Sequence, residues 1–313
     1  MTTEAFFAYA RARYAILLRR QADLPRSEWT DDPILQKYRF CNVFREDDVT
    51  TKWFRENVRD PLRNQPEVLL ATVVFRWFNR ITTGEAIFCQ DNLIGCVNGC
   101  TAWESLLNDE TSGTADMKMA ILAYCGKGPY VTGAYIIKTY DGMPKLPGVL
   151  KCIRGFMNLS RPIRDDYSDP GVLDWREVAR VCLEYPGEVP LETVWNWLRK
   201  FPYLGDFMAY EIVSDLRYTA LLDKAPDIMT WANPGPGAMR GLNRIHGRDL
   251  DKKIAKEKYI EEMRVLLGES QNPDNWPSDW QPWDMRTVEH TLCELDKYER
   301  VRLGQGRPRG VYR

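Results

Sequence analysis

The chain has 313 residues, 44% hydrophobic and 12% aromatic, enough for one large core or two modest ones, so wholesale disorder is excluded. Its 43 basic and 44 acidic residues leave a formal charge of −1, which rules out a polycationic nucleic-acid coat but not a local basic groove. No apolar run has the length needed to span a bilayer.

Residues 4–21 open the chain as an amphipathic helix, with Phe6, Phe7, Tyr14, Leu17 and Leu18 among its buried positions. Arginines inside this apolar stretch, and no small-residue cleavage site, argue against a signal peptide. After a loop around Asp23–Pro33, the region 34–80 predicts two helices separated by Asp60–Pro66. Helices are expected next at 84–107 and 114–125. The glycine-punctuated stretch 128–145 reads as a short strand pair or a loop. Further helices are expected at 144–160, 173–185 and 190–200. A tight turn at Leu204-Gly205 then enters another helix. A Pro/Gly-rich loop leads into a helix near 240, a charged helix covers 251–267, and a Trp/Pro loop precedes the closing helix with its basic tail. Regularly spaced strands and βαβ units are absent, so the chain is expected to be mostly α with few or no strands. It reads as one helical unit over 1–313, with 1–150, 151–270 and 271–313 as its subdivision.

Eight cysteines, Cys41, Cys89, Cys96, Cys100, Cys125, Cys152, Cys182 and Cys293, include no CxxC pair; Cys96 and Cys100 are spaced to share a helix face. With only His246 and His290 besides, a zinc site of Cys/His spacing is not expected, no metal ligand is assigned, and Cys-His or Ser-His-Asp catalysis is poorly supplied. Most of the thiols sit among apolar neighbours and read as reduced core residues of an intracellular protein. GxxxxGK[ST] is absent, which excludes ATP binding by a P-loop. Arginines outnumber lysines 29 to 14. That imbalance suits bidentate recognition of phosphate or carboxylate, although ordinary ion pairs explain the count as well.

Four segments carry candidate chemistry. In FPYLGDFMAYEIVSDLRYT (201–219), a Gly-containing turn at a helix start exposes backbone N–H groups to an anion. It resembles the helix-hairpin-helix of α-helical DNA glycosylases. In that superfamily a catalytic Asp lies two dozen residues or fewer past the hairpin glycine, here Gly205, which implicates Asp227 with Asp223 as rival. A plain capping Asp fits equally well. Asp206-Phe207-Met208 departs from the usual basic or small residues, and the four-Cys iron–sulfur signature is missing. In WANPGPGAMRGLNRIHGR (231–248), a rigid loop permits close backbone approach, and Arg240, Asn243, Arg244 and Arg248 fall on one side of a helix. In YRFCNVFREDDVTTKWFREN, Arg39, Asn42 and Arg45 are expected on one helix face. In VEHTLCELDKYERVRLGQGRPRG, Glu289, Cys293, Asp296, Lys297 and Arg300 share a spacing, and Arg300, Arg302, Arg307, Arg309 and Arg313 form an acid-free tail suited to a nucleic-acid backbone. Each charge run alone is also what a solvated face looks like.

Together these blocks, spread from about residue 30 to the C-terminus, resemble the helical-domain family found with bacteriophage 5-hydroxymethyl-deoxyuridine DNA kinases. The same group includes the α-glutamyl/putrescinyl-thymine pyrophosphorylases, or amino acid:DNA transferases. The resemblance implies a DNA-glycosylase-like helical fold with a helix-hairpin-helix, working in thymidine hypermodification of double-stranded phage DNA. A transferase would replace the pyrophosphate of 5-(pyrophosphoryloxymethyl)uracil with an amino acid or polyamine, after a separate DNA kinase had activated the base. On that reading Arg240, Asn243, Arg244 and Arg248 bind pyrophosphate, and Asp227, with Glu211 and Asp215 behind it, handles the amine. Arg39, Asn42, Arg45, Gly205, Lys297, Arg300 and Arg307 hold DNA, and Tyr210 or Trp231 stacks on the flipped base. A divalent metal accompanying pyrophosphate is the one cofactor this chemistry brings in. The expected compartment is the cytoplasm of an infected bacterium, with no membrane contact. The alternatives are a glycosylase acting on a modified base, and a non-catalytic DNA-binding partner of the kinase.

Overall fold

A computed structural model of the protein describes residues 2–89, 100–159, 174–308 and 310–312. Among these residues there are fourteen α-helices and no strand; the one extended pairing is an isolated antiparallel bridge between Tyr38 and Val311. The mostly-α expectation holds. Cys96, Arg309 and Arg313 lie outside the described residues.

The helices form two units, one from residues 1–48 with 228–313, the other from 49–227. The first unit contains α1 (Thr3–Gln21), α2 (Pro33–Lys37), α12 (Pro236–Ile245), α13 (Lys256–Glu269) and α14 (Met285–Arg302). The second holds α3 (Val49–Phe54), α4 (Glu67–Phe78), α5 (Ile81–Phe88), α6 (Ala102–Asn108), α7 (Glu110–Cys125), α8 (Lys145–Leu159), α9 (Trp175–Glu184), α10 (Leu191–Leu198) and α11 (Gly205–Leu216).

In the first unit, α1 starts at a Thr2 cap and buries Phe6, Phe7 and Leu17, whereas Leu18 is exposed beside Arg19 and Arg20. Phe6 and Phe7 pack on Trp283, which meets Trp276, so the Trp/Pro loop is a core element rather than a connection. Residues 38–48 are not the expected helix. They run extended into a short 3-10 turn at Arg45–Asp47, so Arg39, Asn42 and Arg45 share no helix face. The cause is side-chain competition for the backbone. Arg13 donates to the carbonyls of Phe40 and Cys41, Asp48 accepts from Asn42 N–H at 3.0 Å, and Glu294 accepts from Cys41 N–H at 3.1 Å.

In the second unit, α4 is buried on nearly every side, as expected of a segment reading VLLATVVFRWF. Phe75 stacks on Phe54 at 4.4 Å between ring centres, and Trp77 meets Phe156 of α8 edge-on. The helix expected over 84–107 is instead α5 and α6, which are separate elements, and the glycine-punctuated stretch after α7 forms no strand. α10 and α11 are joined by the six residues 199–204; Tyr203 within that turn and Gly205, the first residue of α11, take positive φ (70° and 55°).

Candidate functional site

The Pro-Gly loop delivers α12 onto α14. Pro236 sits at the helix start, where its missing N–H costs nothing. A Cβ on Gly237 would lie 2.5 Å from the Cys293 sulfur, and one on Gly241 2.6 Å from the Leu292 carbonyl oxygen. The close approach that the glycines permit is therefore to α14.

That crossing gathers charge. Asp296, fully buried on α14, accepts from Arg240 Nε at 2.9 Å and from Arg244 Nε at 3.1 Å, and Arg300 Nε lies 3.4 Å from the same carboxylate. One carboxylate cannot neutralise three guanidinium groups. Arg240 and Arg300 keep 30% and 40% of their side-chain surface exposed, while Arg244 keeps 7% and also reaches Gln305 at 3.2 Å. Arg244 further lines a cavity of about 720 Å³, with Tyr9, Asp32, Tyr298, Glu299 and Arg302 on its walls. Tyr298 donates to Asp32 there at 2.6 Å, and Arg302 pairs with Glu299.

The rest of the expected stripe turns elsewhere, and Arg248 lies past the end of α12, off the helix side it was expected to share. Arg248 forms a two-point pair with Glu262 of α13 at 2.6 and 2.7 Å. Asn243 is fully buried and donates to the carbonyls of Leu250 and Lys252, closing the loop behind the helix. Trp231 is 5% exposed, with the Lys256 ammonium 5.5 Å from its ring centre.

A second basic cluster forms around Tyr312. Arg20, Arg26 and Arg39 lie 6.0, 5.4 and 5.9 Å from its ring centre, and Trp29 packs on it edge-on. All three arginines are exposed. No carboxylate among the described residues pairs with Arg20 or Arg39. Of this set the sequence pointed only to Arg39; the Tyr38–Val311 bridge sets Tyr312 beside it. Asn42 is buried between Arg13 and Asp48, Arg45 pairs with Asp48 at 3.0 Å, Lys297 pairs with Glu294, and Arg307 is exposed.

The second unit holds the candidate carboxylates. Asp227 accepts from the N–H groups of Leu191 and Glu192 at 2.7 and 3.0 Å, which caps α10. Asp223 lies 3.5 Å from Arg63. Asp215 is held by Arg76, and Glu211 and Tyr210 are each 4% exposed on α11. Gly205 is exposed at the head of α11.

Buried ionisable groups concentrate on α14. Burial, reinforced by Arg286, pushes His290 down to about 4, so its ring is neutral at neutral pH. Burial would raise Glu294, but Lys297 and His290 outweigh it and hold the carboxyl below its ordinary value. Burial, then Asp48 and Glu294, pushes the Cys41 thiol well up. Helix spacing sets His290, Glu294 and Lys297 side by side on α14, but no spacing signal brought Cys41 to them.

Comparison with known proteins gives this arrangement a family. The helical domain described as "5-hmdU DNA kinase, helical domain" matches residues 1–164 and 178–307. The chain belongs to that family. A "5-hmdU DNA kinase" of Bacillus phage SP10 is 25% identical over 310 residues, covering 94% of this chain and 44% of the kinase. The chain therefore spans less than half the length of that relative. No solved structure matches. No described helix is long and apolar enough to cross a membrane.

Proposed function

We propose that the chain acts in the modification of 5-hydroxymethyluracil in phage DNA, as a transferase that replaces the pyrophosphate of 5-(pyrophosphoryloxymethyl)uracil with an amine. The observation that carries this reading is the sharing of one buried carboxylate, Asp296, by Arg240, Arg244 and Arg300 beside a cavity that Arg244 also lines. Guanidinium groups held in place by a buried acid need no reorganisation to meet a pyrophosphate, and the exposed charge of Arg240 and Arg300 favours its departure. Carbon–oxygen cleavage at the 5-methylene releases pyrophosphate with the bonding pair, the amine nitrogen forms the new bond, and its proton passes to a base. Among Asp227, Glu211 and Asp215, Asp227 is the partly exposed carboxylate and the first to test. A divalent ion accompanying pyrophosphate belongs to the same proposal. Amino acids and polyamines are the nucleophiles to try, double-stranded DNA the substrate, a separate DNA kinase the supplier of the activated base, and an infected bacterial cell the setting.

The second reading is a non-catalytic DNA-binding partner of the kinase. It is favoured by Asp227 and Asp215 being engaged by backbone N–H groups and by Arg76, and by the exposed arginines around Tyr312.

Mass spectrometry of nucleosides separates these readings. DNA carrying the pyrophosphorylated base is incubated with the protein, magnesium and a panel of amino acids and polyamines. A new aminomethyl nucleoside with released pyrophosphate, lost in Asp227→Asn, is the expected result. Unchanged DNA with tight binding would move the assignment to the partner module, and an abasic site to a glycosylase.

A further inference from the structure

The fold of the first unit brings together three side chains that lie far apart in sequence. The Cys41 sulfur, a carboxylate oxygen of Asp48 and a ring nitrogen of His290 all lie within 4.8 Å of one another. A separate observation concerns the imidazole itself. His290 is 8% exposed, and its Nε2 is buried without a hydrogen-bond partner. An orphaned ring nitrogen in a protein interior is costly unless something binds it.

We propose that Cys41, Asp48 and His290 form a binding site for one divalent transition-metal ion of the zinc class. A thiolate, an imidazole and a carboxylate are the mixed donors such an ion takes, whereas magnesium and calcium prefer oxygen alone. Asp48 and the backbone of Cys41 are held by neighbours. Asp48 accepts from Asn42 through its N–H and side-chain amide at 3.0 and 3.2 Å, and from Arg45 at 3.0 Å. A carboxylate with about four acceptor positions retains room for a metal. Cys41 is fixed through its backbone, its N–H donating to Glu294 at 3.1 Å and its carbonyl accepting from Arg13 at 3.0 Å. Outer contacts of this kind set the direction of metal ligands. Of the neighbouring cations, Arg286 pairs with Glu289 at 2.8 Å and Lys297 with Glu294, Arg13 is held by the carbonyls of Phe40 and Cys41 and the Asn42 amide oxygen, and Arg45 shares Asp48 with the ion. Binding converts the Cys41 thiol to a thiolate, its proton passing to solvent. Three protein donors leave a fourth position, and the partial exposure of Asp48 puts the rim of the site at the surface. The proposal stands apart from the transferase reading, since it rests on this cluster alone.

The test is cobalt(II) titration of the full chain, stripped with chelator and kept reduced. The expected result is about one equivalent bound, with a sulfur-to-cobalt charge-transfer band in the near ultraviolet. Cys41→Ser should abolish the band, and Asp48→Asn and His290→Gln should each weaken binding by at least ~100-fold, the upper end of the loss seen even for outer contacts. Cys125→Ser, a thiol of the other unit, should leave the spectrum unchanged. Zinc should raise the melting temperature of the parent and of Cys125→Ser but not of Cys41→Ser. Less than a tenth of an equivalent bound to the parent, or a charge-transfer band that survives in Cys41→Ser, would overturn the site. Asp48 lies at the partly exposed rim, so Asp48→Asn keeps the test decisive if a buried substitution fails to fold; unchanged affinity in that variant also overturns it.

Discussion

Arg76 of α4 donates through two nitrogens to both carboxylate oxygens of Asp215 on α11, at 2.5 and 2.6 Å, with side chains 1% and 3% exposed. Its remaining terminal nitrogen donates to Asn79 at 2.7 Å. In this dry setting the pair joins two central helices of the second unit. Asp215→Asn should cost about 3–5 kcal/mol in urea unfolding, because it strands a buried guanidinium. Replacing both partners, Arg76→Met with Asp215→Leu, should restore most of that loss. A single variant as stable as the parent would free Asp215 for a catalytic role.

Gly241 and Gly268 predict opposite responses to alanine. A Cβ at Gly241 meets the Leu292 carbonyl oxygen at 2.6 Å, so α12 and α14 must separate, at roughly 1–3 kcal/mol. A Cβ at Gly268 meets nothing within 4 Å, so Gly268→Ala should stabilise by about 0.4–1 kcal/mol through the unfolded chain. Thermal unfolding of the two variants checks both signs.

Removing exposed charge from the Asp296 cluster tests its affinity for phosphate. Arg240→Gln and Arg300→Gln should each lower pyrophosphate affinity by one to two orders of magnitude, at about 1.5–3 kcal/mol for a charged hydrogen bond. If the same arginines also meet DNA, the slope of log affinity against log salt should fall by about 1 for each phosphate no longer neutralised. Calorimetry with pyrophosphate and anisotropy with duplex at several salt concentrations measure the two effects. Affinity equal to that of the parent would remove the cluster from the site.

The buried thiols set an alkaline limit on stability. Burial pushes Cys152 up to about 11 and Cys182 up to about 12, from an ordinary value of 9.0. A raised folded value keeps the proton on the native thiol, so this contribution is complete below pH 9 and is lost as pH climbs from 9 through 11 to 12. Stability should therefore fall over that range, and less steeply in Cys182→Ala. At mildly alkaline pH, iodoacetamide should modify the exposed Cys100 in the native protein, but Cys152 and Cys182 only after denaturant is added. Labelling of native Cys182 at the Cys100 rate would contradict its burial.

Much of the architecture was legible without coordinates because helix formation is local. The apolar period and end signals around α1, α8, α11 and α14 are written in adjacent residues, and so is the absence of a P-loop. Distinctive blocks spread along the chain carried the family. Residues 38–48 escaped local rules, because Arg13, Asp48 and Glu294 supply hydrogen bonds that a helix would have supplied itself. The expected row of Arg240, Asn243, Arg244 and Arg248 broke up, because α12 ends at Ile245 and packing turned Arg240 and Arg244 to Asp296, Asn243 to the following loop and Arg248 to Glu262. Likewise only the tertiary structure gathered Arg20, Arg26 and Arg39 at Tyr312, and brought His290 to Cys41. A side chain's neighbours along its helix follow from the turn of the backbone, whereas its partner across an interface depends on which distant surfaces bury each other.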